Sequence, residues 1–150
     1  MIEEGDQFPD FSLQDQAGVT HSLNDLKGAK SVIYFYPKDD TPGCTVEACN
    51  FRDNLPKFEG VKVFGVSPDD AKSHKKFETK FNLNFPLLAD TDKSLTEKLG
   101  LWVEKSMYGK KYMGVDRTTY LLDANGKIEK IWRKVKVDGH ADEVLAAAGK

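Results

Sequence analysis

The run Ser31-Val-Ile-Tyr-Phe-Tyr36, closed by Pro37, constrains the fold more than any other stretch. Consecutive β-branched and aromatic residues without alternation fit a strand covered on both faces. Val61-Lys-Val-Phe-Gly-Val-Ser67 reads as a second central strand. After it, Ser67 offers an N-cap oxygen, Pro68 suits the first helical position, and Asp69 and Asp70 suit the positive helix end, so a helix is expected through about Phe81. Phe85-Pro-Leu-Leu-Ala89 reads as a short strand, and Asp90-Thr-Asp-Lys-Ser with Leu95 and Leu99 begins a helix that Gly100 ends.

The two ends of the chain complete the pattern. Phe11–Asp15 and Val19–Leu23 alternate about a Gly18 turn and predict an N-terminal hairpin. Thr118–Asp123 and Lys127–Arg133 flank Ala124-Asn-Gly126, where Asn-Gly supplies the positive φ angles of a tight hairpin. A helix from about His140 to Ala148 ends at Gly149. Strands alternating with helices, then a hairpin, then a helix describe an α/β fold: a mixed central sheet flanked by helices, on the thioredoxin-like plan, with an N-terminal β-hairpin addition. Trp102–Asp116 lacks clear periodicity and reads as an ordered loop near a site. At 150 residues with no long linker or repeat, residues 1–150 are expected to form a single domain.

Composition removes several function classes. With 22 Lys and Arg against 24 Asp and Glu, there is no basic excess to neutralise phosphates, so nucleic acid is not an expected partner. No apolar run approaches the roughly 20 residues of a membrane helix. The acidic start (Glu3, Glu4, Asp6) differs from a basic secretory signal, which predicts a cytoplasmic protein. No Gly-rich phosphate loop occurs, so no nucleotide cofactor is expected.

Cys44 and Cys49 are the only cysteines, and they fall in one local segment. In a reducing compartment such a pair is either inert packing or a reversible redox couple. Thiolate pairs for zinc usually lie closer and need two more ligands, whereas His21, His74 and His140 are isolated and widely spaced, so no metal is expected. Thr41 can cap a helix with Pro42 at its first position, which puts Gly43 and Cys44 in the first turn. That location favours an anion and so the thiolate of Cys44, while Gly43 leaves room for a substrate. Such a thiolate needs a permanent cation, and arginine is scarce here: only Arg52, Arg117 and Arg133 occur. Arg117, just before the strand that begins at Thr118, is the strongest candidate, its alternative being a surface ion pair. Glu47, one turn after Cys44, can orient that arginine or be a plain surface carboxylate. The paired acids Asp39-Asp40, Asp69-Asp70 and Asp90-Thr-Asp92 sit at or beside expected helix starts, where capping is their expected role.

The segment YFYPKDDTPGCTVEACNFRD resembles the active-site segment of the peroxiredoxins, with Pro37, Thr41 and Cys44 at the family spacing. Cys49, with FGVSPDD, FPLLADTD and GVDRTTYLLDANGKI, is similar to the Q-type subfamily, the bacterioferritin comigratory proteins, over nearly the whole chain. The resemblance implies a thiol peroxidase with Cys44 peroxidatic and Cys49 resolving, joined by an intramolecular redox disulfide. It further implies that Thr41 hydrogen-bonds the sulfur and the peroxide, Pro37 shields the site, and Arg117 is its cation. The substrate would be a hydroperoxide, the reductant a thioredoxin-like dithiol and the protein a monomer without cofactor. A redox-sensing binding module that uses the same switch is the alternative. If both cysteines occupy one regular helix, their Cα atoms stand roughly 8.6 Å apart, beyond the 7 Å or so a disulfide spans. Forming the bond then requires local unwinding.

Overall fold

The computed structural model describes all residues from Met1 to Lys150. Nine strands and four α-helices follow in the order β1 (Ser12–Gln14), β2 (Thr20–Ser22), β3 (Lys30–Phe35), α1 (Pro42–Asn54), β4 (Val61–Ser67), α2 (Ala71–Phe81), β5 (Leu87–Ala89), α3 (Ser94–Lys98), β6 (Trp102–Met107), β7 (Lys110–Val115), β8 (Thr118–Leu122), β9 (Ile128–Trp132) and α4 (His140–Ala147). The central sheet has the order β5-β4-β3-β8-β9. β3, β4 and β5 run parallel, while β8 is antiparallel to both β3 and β9. This is the mixed sheet of the thioredoxin-like plan, with the β1–β2 hairpin added at the N-terminus.

The unbroken apolar run of β3 divides between two cores because successive side chains point to opposite faces. Val32, Tyr34 and Tyr36 join residues of α1, α2 and α4 in one core. Ile33 and Phe35 join Leu95 and Leu99 of the α3 region and Phe8, Phe11 and Leu13 of the N-terminal segment in the other. One glycine is required by close packing rather than by its turn. A Cβ on Gly65 would lie 3.0 Å from the Tyr34 ring and its hydroxyl, across the β3–β4 pair.

Four details depart from the sequence expectation. The second long helix begins at Ala71, capped by Asp70, whose side chain accepts the Ser73 amide, whereas Ser67 ends β4. Ser67 is held in the ladder, and its hydroxyl donates instead to Asp69. Trp102–Asp116 is not a loop but the β6–β7 hairpin. Its side chains are mostly exposed on both faces, so the ladder forms without the apolar alternation that marks a half-buried strand. In the β8–β9 turn only Gly126 takes a positive φ (81°), and Gly126 donates to the Asp123 carbonyl. This is a three-residue loop with a left-handed glycine rather than a turn with two left-handed residues. The strand expected from Phe85 is shorter and starts at Leu87.

Candidate active site

α1 buries Cys44, Glu47, Ala48 and Phe51, the i, i+3, i+4, i+7 stripe of one helix face. Cys44 thus faces the core from the first turn, at the C-terminal end of β3. Thr41 is the N-cap residue and Pro42 the first helical residue, but the Thr41 hydroxyl donates to the Lys38 carbonyl at 2.9 Å rather than capping α1. Pro37 is half-buried in the bend that follows β3. Cys49 is half-buried, off the apolar stripe, and both cysteines are free thiols.

Arg117 reaches this turn because β8 pairs antiparallel with β3 in a register that sets Thr118 opposite Phe35. The residue before β8 therefore stands beside the chain leaving β3, although 73 positions separate it from Cys44. Its guanidinium forks: Nη2 donates to Cys44 Sγ at 3.2 Å and Nη1 to Glu47 Oε1 at 2.6 Å. The same Nη2 would lie 3.5 Å from a Cβ on Gly43, so the glycine lies beneath the cation.

Burial is unevenly shared in the Arg117–Glu47 pair: 17% of the arginine side chain is exposed against 1% of the glutamate. Burial pushes the Glu47 carboxyl up from 4.5 to about 7, although the charge and hydrogen bond of Arg117 pull it down. For Arg117, burial works against the charge, yet Glu47 and the Cys44 sulfur outweigh it and the guanidinium is held more firmly protonated. Glu47 Oε2 has no hydrogen-bond partner.

The other two arginines serve structure. Arg52 donates to the Phe81 carbonyl at 2.6 Å and to Asp53 at 2.9 Å, and Arg133 donates to the Ile2 carbonyl at 2.8 Å. Lys105 of β6 is a residue the sequence did not single out. Its ammonium donates to the Val115 carbonyl two residues before Arg117. Burial lowers its pKa, opposed by Asp116, assisted by the like charge of Arg117 and opposed again by Cys44. Reading this stretch as a loop concealed the strand that aims Lys105.

The acidic pairs divide. Asp92 accepts the Ser94 amide and Asp90 the Leu95 and Thr96 amides, so both cap α3, as Asp70 caps α2. Asp39 caps nothing. It lies 7% exposed in the β3–α1 loop, and its carboxylate accepts from Tyr36 Oη at 2.5 Å, Ser73 Oγ at 2.8 Å and His74 Nδ1 at 2.7 Å. Asp40 adopts φ +58° and accepts from Lys80 on the surface. Asp39, Asp69 and His74 bring their ligand-type atoms within 4.8 Å of one another. Those atoms are already engaged with one another, with Ser67, Tyr36 and Ser73, or with the backbone.

A thiol in a first helical turn, hydrogen-bonded by an arginine that a buried carboxylate orients, can hold a sulfur anion and stabilise charge on an oxygen beside it. The AhpC/TSA family model matches residues 4–131. A Bcp protein of Coxiella burnetii is 51% identical over 146 residues, covering 96% of this chain and 97% of the relative. Peroxiredoxin Bcp of Bacillus subtilis is 48% identical over 146 residues, covering 96% and 93%. A Xanthomonas campestris bacterioferritin comigratory protein, solved in a study of its alkyl peroxide reduction activity, superposes with a TM-score of 0.88 at 45% identity, covering 93% of this chain and 90% of that one.

Proposed function

The chain belongs to the AhpC/TSA family, and from that premise we propose which of its residues carry out the thiol peroxidase reaction of a peroxiredoxin. Cys44 is the peroxidatic cysteine. Its thiolate attacks the distal oxygen of a hydroperoxide, the O–O bond breaks, and the departing alkoxide or hydroxide takes a proton and leaves as alcohol or water. Cys44 is then a sulfenic acid. The Cys49 sulfur attacks it and expels its oxygen as water, leaving an intramolecular disulfide. A thioredoxin-like dithiol restores both thiols by exchange and is itself oxidised.

The observation that carries this reading is the 3.2 Å hydrogen bond from Arg117 to the Cys44 sulfur in the first turn of α1. In the reaction one guanidinium arm holds the attacking sulfur, and the fork lies near enough to draw charge from the breaking O–O bond. Glu47 positions Arg117, Gly43 leaves the approach open, Thr41 supplies a hydroxyl at the helix start and Pro37 shields the sulfur from bulk water. No cofactor enters. Hydrogen peroxide and organic hydroperoxides, including the alkyl class reduced by the X. campestris relative, are the substrates.

Residues 1–150 act as one domain and, because the disulfide is within the chain, as a monomer. No helix is long and apolar enough to cross a membrane, and a reducing cytoplasm suits a thiol that must be recycled.

Peroxide consumption by single variants tests the assignment. Cys44→Ser should consume none, while Cys49→Ser should consume about one equivalent and stop as sulfenic acid on Cys44. Sulfenic acid trapped on Cys49 of the wild type, with Cys44 unmodified, would overturn it. Turnover separates the enzyme from a redox-sensing module: with a dithiol present the enzyme consumes many equivalents, and a sensor stops near one.

A further inference from the structure

We infer that Asp39 and His74 are positioning residues for peroxide reduction: they tie the β3–α1 loop to α2 and β5 and so hold Thr41 and Cys44 in reacting geometry. The inference rests on Cys44 being the attacking thiol.

The His74 side chain is fully buried and that of Asp39 nearly so. The Leu88 carbonyl, 3.0 Å from His74 Nε2, can only accept, so Nε2 carries a hydrogen. The other ring nitrogen, Nδ1, stands 2.7 Å from Asp39 Oδ2, so both edges of the imidazole are engaged. A buried imidazole–carboxylate pair of this kind is a poor device for stability, since apolar residues of equal volume often serve as well or better. What it supplies is a fixed geometry.

That geometry converges on one loop residue. The Asp39 carboxylate is tied to Tyr36 at the end of β3 and to Ser73 and His74 in the first turn of α2, and through His74 to β5. Its backbone amide donates to Asp69 at 2.8 Å, ahead of α2. Two residues on, the Thr41 hydroxyl hooks back to the Lys38 carbonyl, the residue before Asp39. The chain between the sheet and Cys44 is thereby fixed on the far side of the segment that unwinds. The anchor serves the step that needs the first turn intact, the attack on peroxide. It does not serve disulfide formation, for which the turn must leave.

Stopped-flow oxidation by hydrogen peroxide, followed by quenched mass spectrometry, reads the two steps separately. His74→Gln can satisfy Asp39 or Leu88 but not both, and with Asp39→Ala it should slow formation of Cys44 sulfenic acid about ten-fold or more, the scale of a small misplacement of reacting atoms. The rate from sulfenic acid to disulfide should not fall. Asp39→Asn keeps the shape and can donate to a singly protonated His74, and it should retain the first rate within about two-fold. Should Asp39→Ala fail to fold, Tyr36→Phe, which removes one tie and keeps the ring, must still slow the first step and spare the second. Wild-type oxidation rates in these variants, equal losses in both steps, or an Asp39→Asn as slow as His74→Gln would overturn the inference. Absence of sulfenic acid on Cys44 of the Cys49→Ser variant would instead overturn the assignment of the thiol itself.

Discussion

Oxidation to the Cys44–Cys49 disulfide should dismantle the first half of α1. Both cysteines lie within its 13 helical residues, Pro42–Asn54. Five residues along a regular helix advance about 7.5 Å and leave the side chains about 140° apart in azimuth, so the Cα atoms stand roughly 8.6 Å from each other. A disulfide spans at most about 7 Å, and no rotamer closes that difference. The turn from Pro42 to Cys49 must open, releasing the amide bonds that begin with Thr45 N–H to the Thr41 carbonyl. Five such bonds at about 1 kcal/mol each put the opening near 5 kcal/mol, a population of about one in five thousand that the disulfide then traps. The four α-helices hold 13, 11, 5 and 8 residues, so losing the eight from Pro42 to Cys49 removes about a fifth of the α-helical content. Far-ultraviolet circular dichroism of the reduced and oxidised protein should show that loss. Amide hydrogen exchange should place it between Pro42 and Cys49 and leave α2 and α4 protected. Unchanged ellipticity and unchanged protection in α1, in a sample proven by mass spectrometry to carry the bond, would refute the reasoning.

Three further outcomes follow from the site. Arg117→Lys keeps a charge but loses the planar fork that joins Cys44 to Glu47, so peroxide-driven oxidation should slow by about 100-fold, and Arg117→Ala by at least as much; wild-type stopped-flow rates in Arg117→Ala would reduce the arginine to a surface residue. Glu47 gives stability a pH dependence: its folded carboxyl titrates near 7 against 4.5 ordinarily, so the folded chain binds more protons between those values. The associated stability, about 3 kcal/mol, is fully present below pH 4.5 and lost as pH rises through 7, and Glu47→Gln should flatten that slope in denaturant melts at pH 5 and pH 8. Gly43→Ala finds ordinary contact with Arg117 and no backbone strain, so it should stiffen the first turn by up to about 1 kcal/mol and slow disulfide formation, which rapid-quench mass spectrometry would read directly.

Most of the elements and the reactive segment are legible in the sequence. An unalternating β3 run, the Thr41-Pro42 helix start and the glycines at 100, 126 and 149 act within a few residues of one another. Local sterics and hydrogen bonding therefore suffice to read them. The peroxiredoxin segment around Cys44 is legible for the same reason. Where local signals competed, the reading slipped: both Ser67 and Asp70 can cap a helix, and the β4 ladder took Ser67. β6 and β7 bury too little to show a period, so their pairing is visible only in the ladder they form. Arg117 and Glu47 are candidates in the sequence, but only the packed fold brings the arginine to the sulfur. Arg117 meets Cys44 because the β3–β8 register sets Thr118 opposite Phe35, and no spacing within either segment encodes that register. Asp39, placed like a cap by its position before α1, turns inward instead because His74, Ser73 and Tyr36 converge there from α2 and β3. A buried carboxylate takes whichever donors the packed fold brings to it, and those donors are set by chain crossings that sequence neighbours do not see.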